Sequence, residues 1–220
     1  MENFEININD LNFSNNSPIK LIAGPCQIES RDHALETCLE IMEICSKLDI
    51  QFVYKSSFDK ANRTSHKTPR GVGIKKGLKI LEEVKEKFKC TILTDVHESS
   101  HCKKVSEVVD IIQIPAFLCR QTDLILSAGK TNCCINVKKG QFLSPWEMKN
   151  IVSKILSTGN KKIMLTERGT MFGYNNLITD LRSLPILKEN GFPVIFDATH
   201  SVQLPGRNGK SSSGQREFVD

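Results

Sequence analysis

The chain has 220 residues, of which 39% are hydrophobic and 25% are charged, and its formal net charge is +5. This composition is that of a globular protein and argues against general disorder. The basic residues are dispersed and only 6% of residues are aromatic, so no basic stripe or stacking platform indicates nucleic-acid binding. No apolar run approaches the roughly 20 residues that cross a bilayer, and the acidic N-terminus differs from a signal peptide. We therefore expect a cytoplasmic protein that binds neither nucleic acid nor membrane.

The eight cysteines are not arranged as a disulfide scaffold, and no two of them form a Cys-x-x-Cys pair. Without an export signal, we expect reduced thiols that mostly serve as small core side chains.

Apolar β-type runs alternate with amphipathic helical patterns along the chain. Two short runs within residues 4–13 predict an N-terminal hairpin, which we assign to a unit of residues 1–18 that caps the bottom of a barrel. Strands are predicted next at residues 20–25, 50–55, 90–95, 110–115, 133–138, 162–167 and 193–197. Helices are predicted between these strands, one after the N-cap residue Ser30 and one opened by Ser144 and Pro145. Continuous apolar strands of this kind are typical of a parallel sheet covered on both faces.

Alternating strands and helices predict an α/β fold, a (β/α)8 TIM barrel formed by residues 19–220. After Asp197 there is room only for a polar loop at residues 205–214 and the start of a helix at residues 215–219. We therefore expect a C-terminally truncated barrel that lacks its eighth strand and last helices, with two unpaired edges. An open doubly wound sheet is the alternative.

Polar side chains follow each predicted strand, and in this fold the carboxyl ends of the strands form one face where ligands bind. Four cations lie at these ends, namely Lys55, Lys60, Lys138 and Arg168. Because cations that converge without a ligand repel each other, the pattern predicts a site for a phosphate and a carboxylate together.

Ordinary interpretations remain open for several of these residues. Loop cations such as Lys60 and Arg63 are often solvated, Asp95 can be an N-cap, Cys26 a core thiol and His200 a hydrogen-bonded histidine. One lysine of the Lys138–Lys139 pair is expected at the surface. His97 and His101 are expected there too, rather than as a metal pair.

Six segments together carry a family resemblance: Gly24-Pro-Cys-Gln-Ile-Glu-Ser30, Lys55-Ser-Ser-Phe-Asp-Lys-Ala-Asn-Arg-Thr-Ser65, and residues 94–98, 113–117, 167–174 and 196–203. In unbroken order from about Ile19 onward, they resemble the 3-deoxy-D-manno-octulosonate 8-phosphate synthases, also called 2-dehydro-3-deoxyphosphooctonate aldolases. The resemblance implies a transferase of lipopolysaccharide biosynthesis. It would condense phosphoenolpyruvate with D-arabinose 5-phosphate and water, and release phosphate.

Two alternatives to this activity stay open. The first is a 3-deoxy-arabino-heptulosonate 7-phosphate synthase, the related aldolase that uses erythrose 4-phosphate. Its corresponding loop reads Lys-Pro-Arg-Thr-Ser, whereas this chain has Lys60-Ala-Asn-Arg-Thr-Ser65. The second is an inactive, truncated barrel remnant that binds phosphorylated ligands without turnover.

The resemblance also implies roles for individual residues. Those implied to hold phosphoenolpyruvate are Lys55, Lys60, Gln113, Ala116, Lys138 and Arg168. Those implied to hold the sugar phosphate are Asn62, Arg63 and Ser65, with Asp95 on its hydroxyls or in the metal network. Ser57 is assigned to substrate binding without a choice between the two substrates. Thr64 stands where many relatives have serine.

By the same resemblance, cysteine at position 26 implies the metal-dependent type, with Cys26 and His200 as two ligands of a divalent metal such as Zn, Fe or Mn. The residues assigned as catalytic are Lys55, Lys60, Lys138, Arg168 and His200. The remaining ligands of the family, a glutamate and an aspartate, fall at positions past Asp220. The resemblance further implies a homotetramer in which a neighbouring subunit contributes to the sugar site around Phe117 and Arg120.

Overall fold

The computed structural model describes residues 3–206 and 212–219, and within them a short hairpin leads into a parallel sheet of seven strands. The hairpin consists of β1 (Ile6–Ile8) and β2 (Leu11–Phe13). The sheet consists of β3 (Lys20–Ala23), β4 (Gln51–Lys55), β5 (Thr91–Asp95), β6 (Ile111–Ile114), β7 (Cys134–Lys138), β8 (Ile163–Glu167) and β11 (Val194–Phe196). Two small antiparallel pairs complete the strands, β9 (Thr170–Met171) with β10 (Leu177–Ile178) and β12 (Gln203–Leu204) with β13 (Ser213–Gly214).

Helices connect the strands of the sheet. They are α1 (Arg31–Lys47), α2 (Ile74–Phe88), α3 (Ser99–Ser106), α4 (Thr122–Gly129), α5 (Met148–Leu156), α6 (Ser183–Lys188) and α7 (Ala198–Ser201). Two predicted helix starts are confirmed. Ser30 Oγ accepts the backbone N–H of His33 at 3.1 Å, and Ser144 forms a capping box with Glu147 in the 3-10 turn that precedes α5.

The strands lie side by side in chain order, and all six pairings between them are parallel. A doubly wound sheet would reverse its strand order at a switch point, so the doubly wound alternative is wrong. Every residue of β5, β6, β7 and β8 is buried, because helices cover one face of the sheet and the interior of the curl fills the other. The predicted α/β architecture, with a curled parallel sheet like that of a TIM barrel, is confirmed.

The hairpin closes the lower end of the curled sheet. Its four buried apolar side chains, Ile6, Ile8, Leu11 and Phe13, pack against one inward side chain from each of five neighbouring strands, Val53, Leu93, Ile111, Cys134 and Met164. Ile22 of β3 and Ile195 of β11 join the same cluster. Asn9 Nδ2 donates to Thr91 Oγ1 at the first residue of β5, 3.0 Å away. The hairpin therefore lies at the amino ends of the strands and leaves their carboxyl ends accessible.

Within residues 3–206 and 212–219, no strand pairs with the outer edges of β3 and β11. The two edge strands are only half-buried, with Leu21 39% and Phe196 43% exposed. Part of the predicted polar loop, residues 207–211, lies outside the described residues, as do residues 1–2 of the predicted N-terminal unit. Arg216–Phe218 forms a single 3-10 turn. No described helix is both long enough and apolar enough to cross a membrane.

Replacing Ile111 by alanine tests the contact between hairpin and sheet. Ile111 is fully buried against the hairpin, and truncation of such a side chain leaves a cavity. We expect Ile111→Ala to lower the free energy of unfolding by about 2–5 kcal/mol, measured by urea denaturation. The control is Ile19→Ala, at a side chain that is 82% exposed, with an expected change within about 0.5 kcal/mol. Equal losses in the two variants would contradict the packing described here.

Candidate active site

A layer of hydrogen-bonded polar side chains lies inside the curled sheet, above the apolar cluster formed by the hairpin and the strands. Thr166 Oγ1 donates to Asn136 Oδ1 at 2.7 Å, and Asn136 Nδ2 donates to Gln113 Oε1 at 3.2 Å. All three side chains are buried and come from the adjacent strands β8, β7 and β6. Buried polar groups must be paired to be tolerated, and this chain of bonds fixes the orientation of the Gln113 amide. Gln113 is thereby held at the level where the strand ends begin.

The four cations predicted to converge do so at the carboxyl ends of the strands. Desolvation, followed by the positive charge of Lys60 and, more weakly, that of Lys138, lowers the pKa of Lys55 to about 8, although Asp95 and Cys26 oppose the shift. Desolvation also lowers the pKa of Lys138, against the opposing effect of Asp197, and the charges of Arg168 and Lys60 lower it further. These effects require Lys55, Lys60 and Lys138 to lie within electrostatic reach of one another, and Arg168 to lie within reach of Lys138.

Asp197 is the carboxylate that holds Lys138 and His200 together. Its Oδ2 forms an ion pair with Lys138 Nζ and accepts a hydrogen bond from His200 Nδ1 at 2.8 Å. Its Oδ1 accepts the backbone N–H of His200 at 2.9 Å and so caps α7. Burial alone would raise the pKa of Asp197, but the His200 hydrogen bond and the Lys138 charge hold it well below its usual range. The predicted set of site residues omits Asp197, although an acid at a strand end three residues before a histidine was a usable signal.

The Asp197 hydrogen bond also determines which nitrogen of His200 is available. The bond to Asp197 favours the charged imidazole, but desolvation and the nearby Lys138 charge prevail and lower the pKa of His200. A neutral ring that donates from Nδ1 leaves the lone pair on Nε2. Carboxylate–histidine pairs of this type are typical of metal-ligating histidines.

Asp95 is a second buried carboxylate, and it ends β5, the strand next to the one that ends at Lys55. Burial would raise the pKa of Asp95, but the hydrogen bond from His97 and the charges of Lys60 and Lys55 lower it far below its usual value. His97 Nε2 lies 3.1 Å from Asp95 Oδ2, and its side chain is only 10% exposed. The expected surface position of His97 is therefore wrong, because the ring also packs edge-on against Phe58 at 5.6 Å.

Lys139 is the clearest error of the sequence-based prediction. It was expected that one lysine of the Lys138–Lys139 pair would be at the surface, but Lys138 is 7% exposed and Lys139 is 0% exposed. Adjacent residues at a strand end point to opposite faces. Lys138 therefore points into the curl, while Lys139 enters a separate buried pocket in which its Nζ meets backbone carbonyls, Thr170 and Glu167.

Arg168 presents one guanidinium nitrogen that is buried and unsatisfied. Its Nη2 donates to Gln203 Oε1 at 2.9 Å, whereas Nη1 has no hydrogen-bond partner within the described residues. A buried unpaired donor is costly, and a guanidinium is suited to binding carboxylate or phosphate oxygens. We call the carboxyl ends of the strands, with the loops that follow them, the rim. The rim thus holds four cations beside the two carboxylates of Asp95 and Asp197, which leaves an excess of positive charge for an anionic ligand.

The predicted sugar-binding loop forms the exposed outer part of the rim. Asn62 and Arg63 are exposed and Ser65 is half-buried, so these side chains are not part of the buried cation cluster. Arg63 Nη2 donates to Gln27 Oε1 at 2.6 Å, which ties the loop to the segment after β3. Lys60 Nζ donates to the buried Ser57 at 2.8 Å and is the link between the loop and the cluster.

Ala116 occupies the 3-10 turn that follows β6. It is 8% exposed and begins the turn Ala116–Leu118 directly after Pro115. This position brings it next to the carboxyl end of the strand that carries Gln113.

Cys26 lies on an exposed loop that is locked to β4. Gly24 has φ 153°, and a Cβ at this position would lie 2.0 Å from the carbonyl oxygen of Lys55, so only glycine fits. Cys26 lies within electrostatic reach of Lys55, and its side chain is open to ligands.

The available donors suit a divalent metal of borderline softness, since Cys26 offers a thiolate and His200 an imidazole nitrogen. Among the described residues, no three or more His, Cys, Asp or Glu side chains are grouped so as to hold a metal ion.

Comparison with known proteins places the chain among enzymes of one family. A profile of the DAHP synthetase I family matches residues 3–219. A 2-dehydro-3-deoxyphosphooctonate aldolase from Bartonella tribocorum is 58% identical over 218 residues, which cover 99% of this chain and 78% of the relative. The proteins of the same name from Bartonella henselae and Brucella anthropi are 59% and 55% identical, over 98% and 99% of this chain and 77% and 79% of their own lengths.

The lowered pKa of Lys55 predicts a pH-dependent affinity for anions. Above pH 8 the free protein loses the Lys55 proton, so it loses one of the charges that attract an anion. We expect the affinity for sulfate, whose charge is constant in this range, to fall roughly fivefold to tenfold between pH 7 and 9.5. Isothermal calorimetry measures it. Lys55→Met should bind weakly with a flat profile, whereas Lys76→Met, at an exposed lysine of α2, should behave like the unchanged protein. A pH dependence that persists in Lys55→Met would refute the assignment.

Proposed function

The chain belongs to the DAHP synthetase I family, and on this basis we propose that it condenses phosphoenolpyruvate with D-arabinose 5-phosphate and water. The products are 3-deoxy-D-manno-octulosonate 8-phosphate and inorganic phosphate. The observation that carries the proposal is the cluster of four cations at the rim, together with relatives at 55–59% identity that are named for this aldolase. Such a transferase serves lipopolysaccharide biosynthesis.

Phosphoenolpyruvate fits the deeper part of the site because it carries both a phosphate and a carboxylate. We assign its anionic groups to Lys55, Lys138 and Arg168, the last through the unsatisfied Nη1. Gln113, whose amide is oriented by Asn136, and Ala116 line the same part of the rim. Lys60 lies at the boundary with the outer loop, where it neutralises charge from either substrate.

The sugar phosphate fits the outer part of the rim. Asn62, Arg63 and Ser65 lie on the exposed loop and provide an amide, a guanidinium and a hydroxyl for the phosphate and hydroxyls of the sugar. Ser57 and Asp95 lie below them, next to Lys60. The Arg63–Gln27 hydrogen bond supports this assignment because it fixes the loop against the rim.

The reaction requires two anionic substrates to come into contact. A carbon–carbon bond forms between C3 of phosphoenolpyruvate and the aldehyde carbon of the sugar, whose oxygen takes up a proton. Water adds an oxygen at C2 and phosphate is released. The fixed cations offset the repulsion between the substrates and stabilise developing charge without reorganising. Binding both substrates in one site supplies the orientation that a bimolecular step otherwise lacks.

Cys26 and His200 would hold a divalent metal such as Zn, Fe or Mn, which acts as a Lewis acid toward bound oxygen atoms. The contribution of the chain itself is to keep the His200 ring neutral and correctly oriented through Asp197. The exposed Cys26 thiol supplies a second donor.

We also propose that the active barrel is completed by a further strand between β11 and β3. Three observations support this: the two edges are half-buried, they are unpaired within the described residues, and the chain spans 78% of the length of its Bartonella tribocorum relative. The residues that such a strand and its loop would carry could complete the metal ligand set begun by Cys26 and His200.

A homotetramer in the cytoplasm is our proposal for the assembled enzyme. Phe117 is 49% exposed and lies close to Arg120, which lines a groove of about 490 Å³ together with His97 and Leu118. This groove is where a neighbouring subunit could reach the sugar site. All eight cysteines are free thiols.

The choice of sugar distinguishes the proposed enzyme from the heptulosonate synthase. With phosphoenolpyruvate as co-substrate, we expect phosphate release with arabinose 5-phosphate to exceed that with erythrose 4-phosphate by at least about 100-fold in kcat/KM, because unpaired site groups penalise the shorter sugar. A colorimetric phosphate assay measures it. A preference for the four-carbon sugar would support the heptulosonate alternative.

The same assay should compare the 220-residue chain with a version extended by the remaining residues of the Bartonella tribocorum relative. We expect the extended protein to be the more active of the two. Equal activity would contradict the proposed need for a further strand. Binding of phosphoenolpyruvate without turnover in both versions would support the alternative of a remnant.

Metal dependence is tested by chelation and by a substitution at position 26. We expect a strong chelator to abolish activity of the extended protein and added Zn, Fe or Mn to restore it. The family resemblance implies asparagine at this position in metal-independent members, so Cys26→Asn should keep part of the activity and become insensitive to the chelator. The readouts are phosphate release and bound metal by elemental analysis. A chelator-resistant unchanged protein, or an inert Cys26→Asn, counts against the metal assignment.

A further inference from the structure

Lys139 is a fully buried cation that the proposed reaction does not use. Its Nζ donates to Thr170 Oγ1 at 3.0 Å and to the carbonyl oxygens of Leu143 and Gly140 at 3.2 and 3.4 Å. The carboxylate of Glu167, which is 1% exposed, lies 3.5 Å away. A charge this deep is tolerated only when it is paired and hydrogen-bonded, so the chain retains both partners of a costly pair next to its candidate site.

Glu167 connects this pair to Arg168. Its Oε1, the same oxygen that faces Lys139, accepts the backbone N–H groups of Arg168 at 2.9 Å and Gly169 at 2.7 Å. Lys139 thus contacts the residue before Arg168 through Glu167 and the second residue after it through Thr170. Its own backbone N–H donates to Thr166 at 2.8 Å. The backbone that carries Arg168 is therefore held on both sides by one buried ammonium group.

We propose that Lys139 is a positioning residue, which with Glu167 fixes the backbone of Arg168 so that its guanidinium faces the phosphoenolpyruvate subsite. The inference rests on the proposed function only for the identity of that ligand. Lys138 and Lys139 then have different roles. One lysine faces the ligand from inside the curl, and its neighbour, on the opposite face, orients the ligand-binding arginine.

The physical reason is that the two oxygens of Glu167 have unequal surroundings. Oε1 receives two backbone N–H groups and faces Lys139, whereas Oε2 is buried and has no partner within the described residues. Without the ammonium group, a buried carboxylate would have too few donors and would reorient or take up a proton. Either change would alter the bonds that hold residues 168 and 169.

The chain contains a second lysine–carboxylate pair, more exposed than that of Lys139, that serves as a control. Lys85 Nζ donates to Asp110 Oδ1 at 2.8 Å and to the Val108 carbonyl at 3.0 Å, and Asp110 Oδ2 accepts the backbone N–H of Ile92 at 2.9 Å. This is also a lysine–carboxylate–backbone relay, but it lies at the amino ends of the strands, away from the rim. Lys85→Met therefore reports the general effect of breaking such a relay.

The experiment compares Lys139→Met, Lys85→Met and the double variant Lys139→Met/Glu167→Gln in the 220-residue chain. Amide hydrogen exchange is followed in a peptide that covers residues 164–172 and in one that covers residues 91–96. We expect exchange to be at least tenfold faster in the first peptide for Lys139→Met and in the second peptide for Lys85→Met. The double variant, which keeps a neutral amide oxygen as acceptor, should recover most of the protection at residues 168 and 169.

Equilibrium binding then tests the consequence for the ligand. We expect Lys139→Met to weaken phosphoenolpyruvate binding about tenfold and arabinose 5-phosphate binding less than twofold, with Lys85→Met changing neither. A uniform increase in exchange, or equal effects of the two lysine variants on phosphoenolpyruvate, would overturn the positioning role. If neither the unchanged 220-residue chain nor the extended protein binds phosphoenolpyruvate, the proposed function fails. In that case the exchange data decide by themselves whether Lys139 holds the Arg168 backbone.

Discussion

The ion pair between Lys138 and Asp197 organises the rim of the sheet. It joins the end of β7 to the residue after β11, across the intervening strand β8. The oxygen of Asp197 that meets Lys138 also binds His200 Nδ1, so one carboxylate sets both the position of a cation and the tautomer of an imidazole. Without that carboxylate, Lys138 and Arg168 would repel each other in a desolvated environment, and the His200 ring would lose its orientation. The excess positive charge available to a ligand depends on this partial neutralisation.

The interior of the curled sheet changes character along its length. Apolar side chains of the hairpin and strands fill the lower end, a chain of amide and hydroxyl groups forms the middle, and ionised groups surround the upper end. Each level influences the one above it. The apolar level excludes water beneath Gln113, and the polar level orients Gln113 beneath the cations. Desolvation also lowers the pKa of Lys55 and thereby makes its charge sensitive to pH.

Much of this arrangement could be predicted from the sequence because parallel strands send their carboxyl ends to one face. Lys55, Lys138 and Arg168 were placed together on that argument alone. The direction of a side chain at a strand end depends on the residue at which the alternation of the strand stops. The sequence does not show that residue, so the burial of Lys139 was not predictable. Asp197 is visible as an acid at a strand end, but the sequence does not contain the distances that bring its Oδ2 into contact with both Lys138 and His200. The short pairs β9–β10 and β12–β13 have two residues per strand and leave no periodicity to read.

The close approach of Gly24 to the Lys55 carbonyl has a consequence for how this rim can change. No side chain larger than hydrogen fits between the two backbones, so the turn that bears the Cys26 thiol and the end of β4 behave as one rigid piece. A substitution of Cys26 can therefore change the donor atom at this position, but it cannot move the position relative to the Lys55 ammonium group.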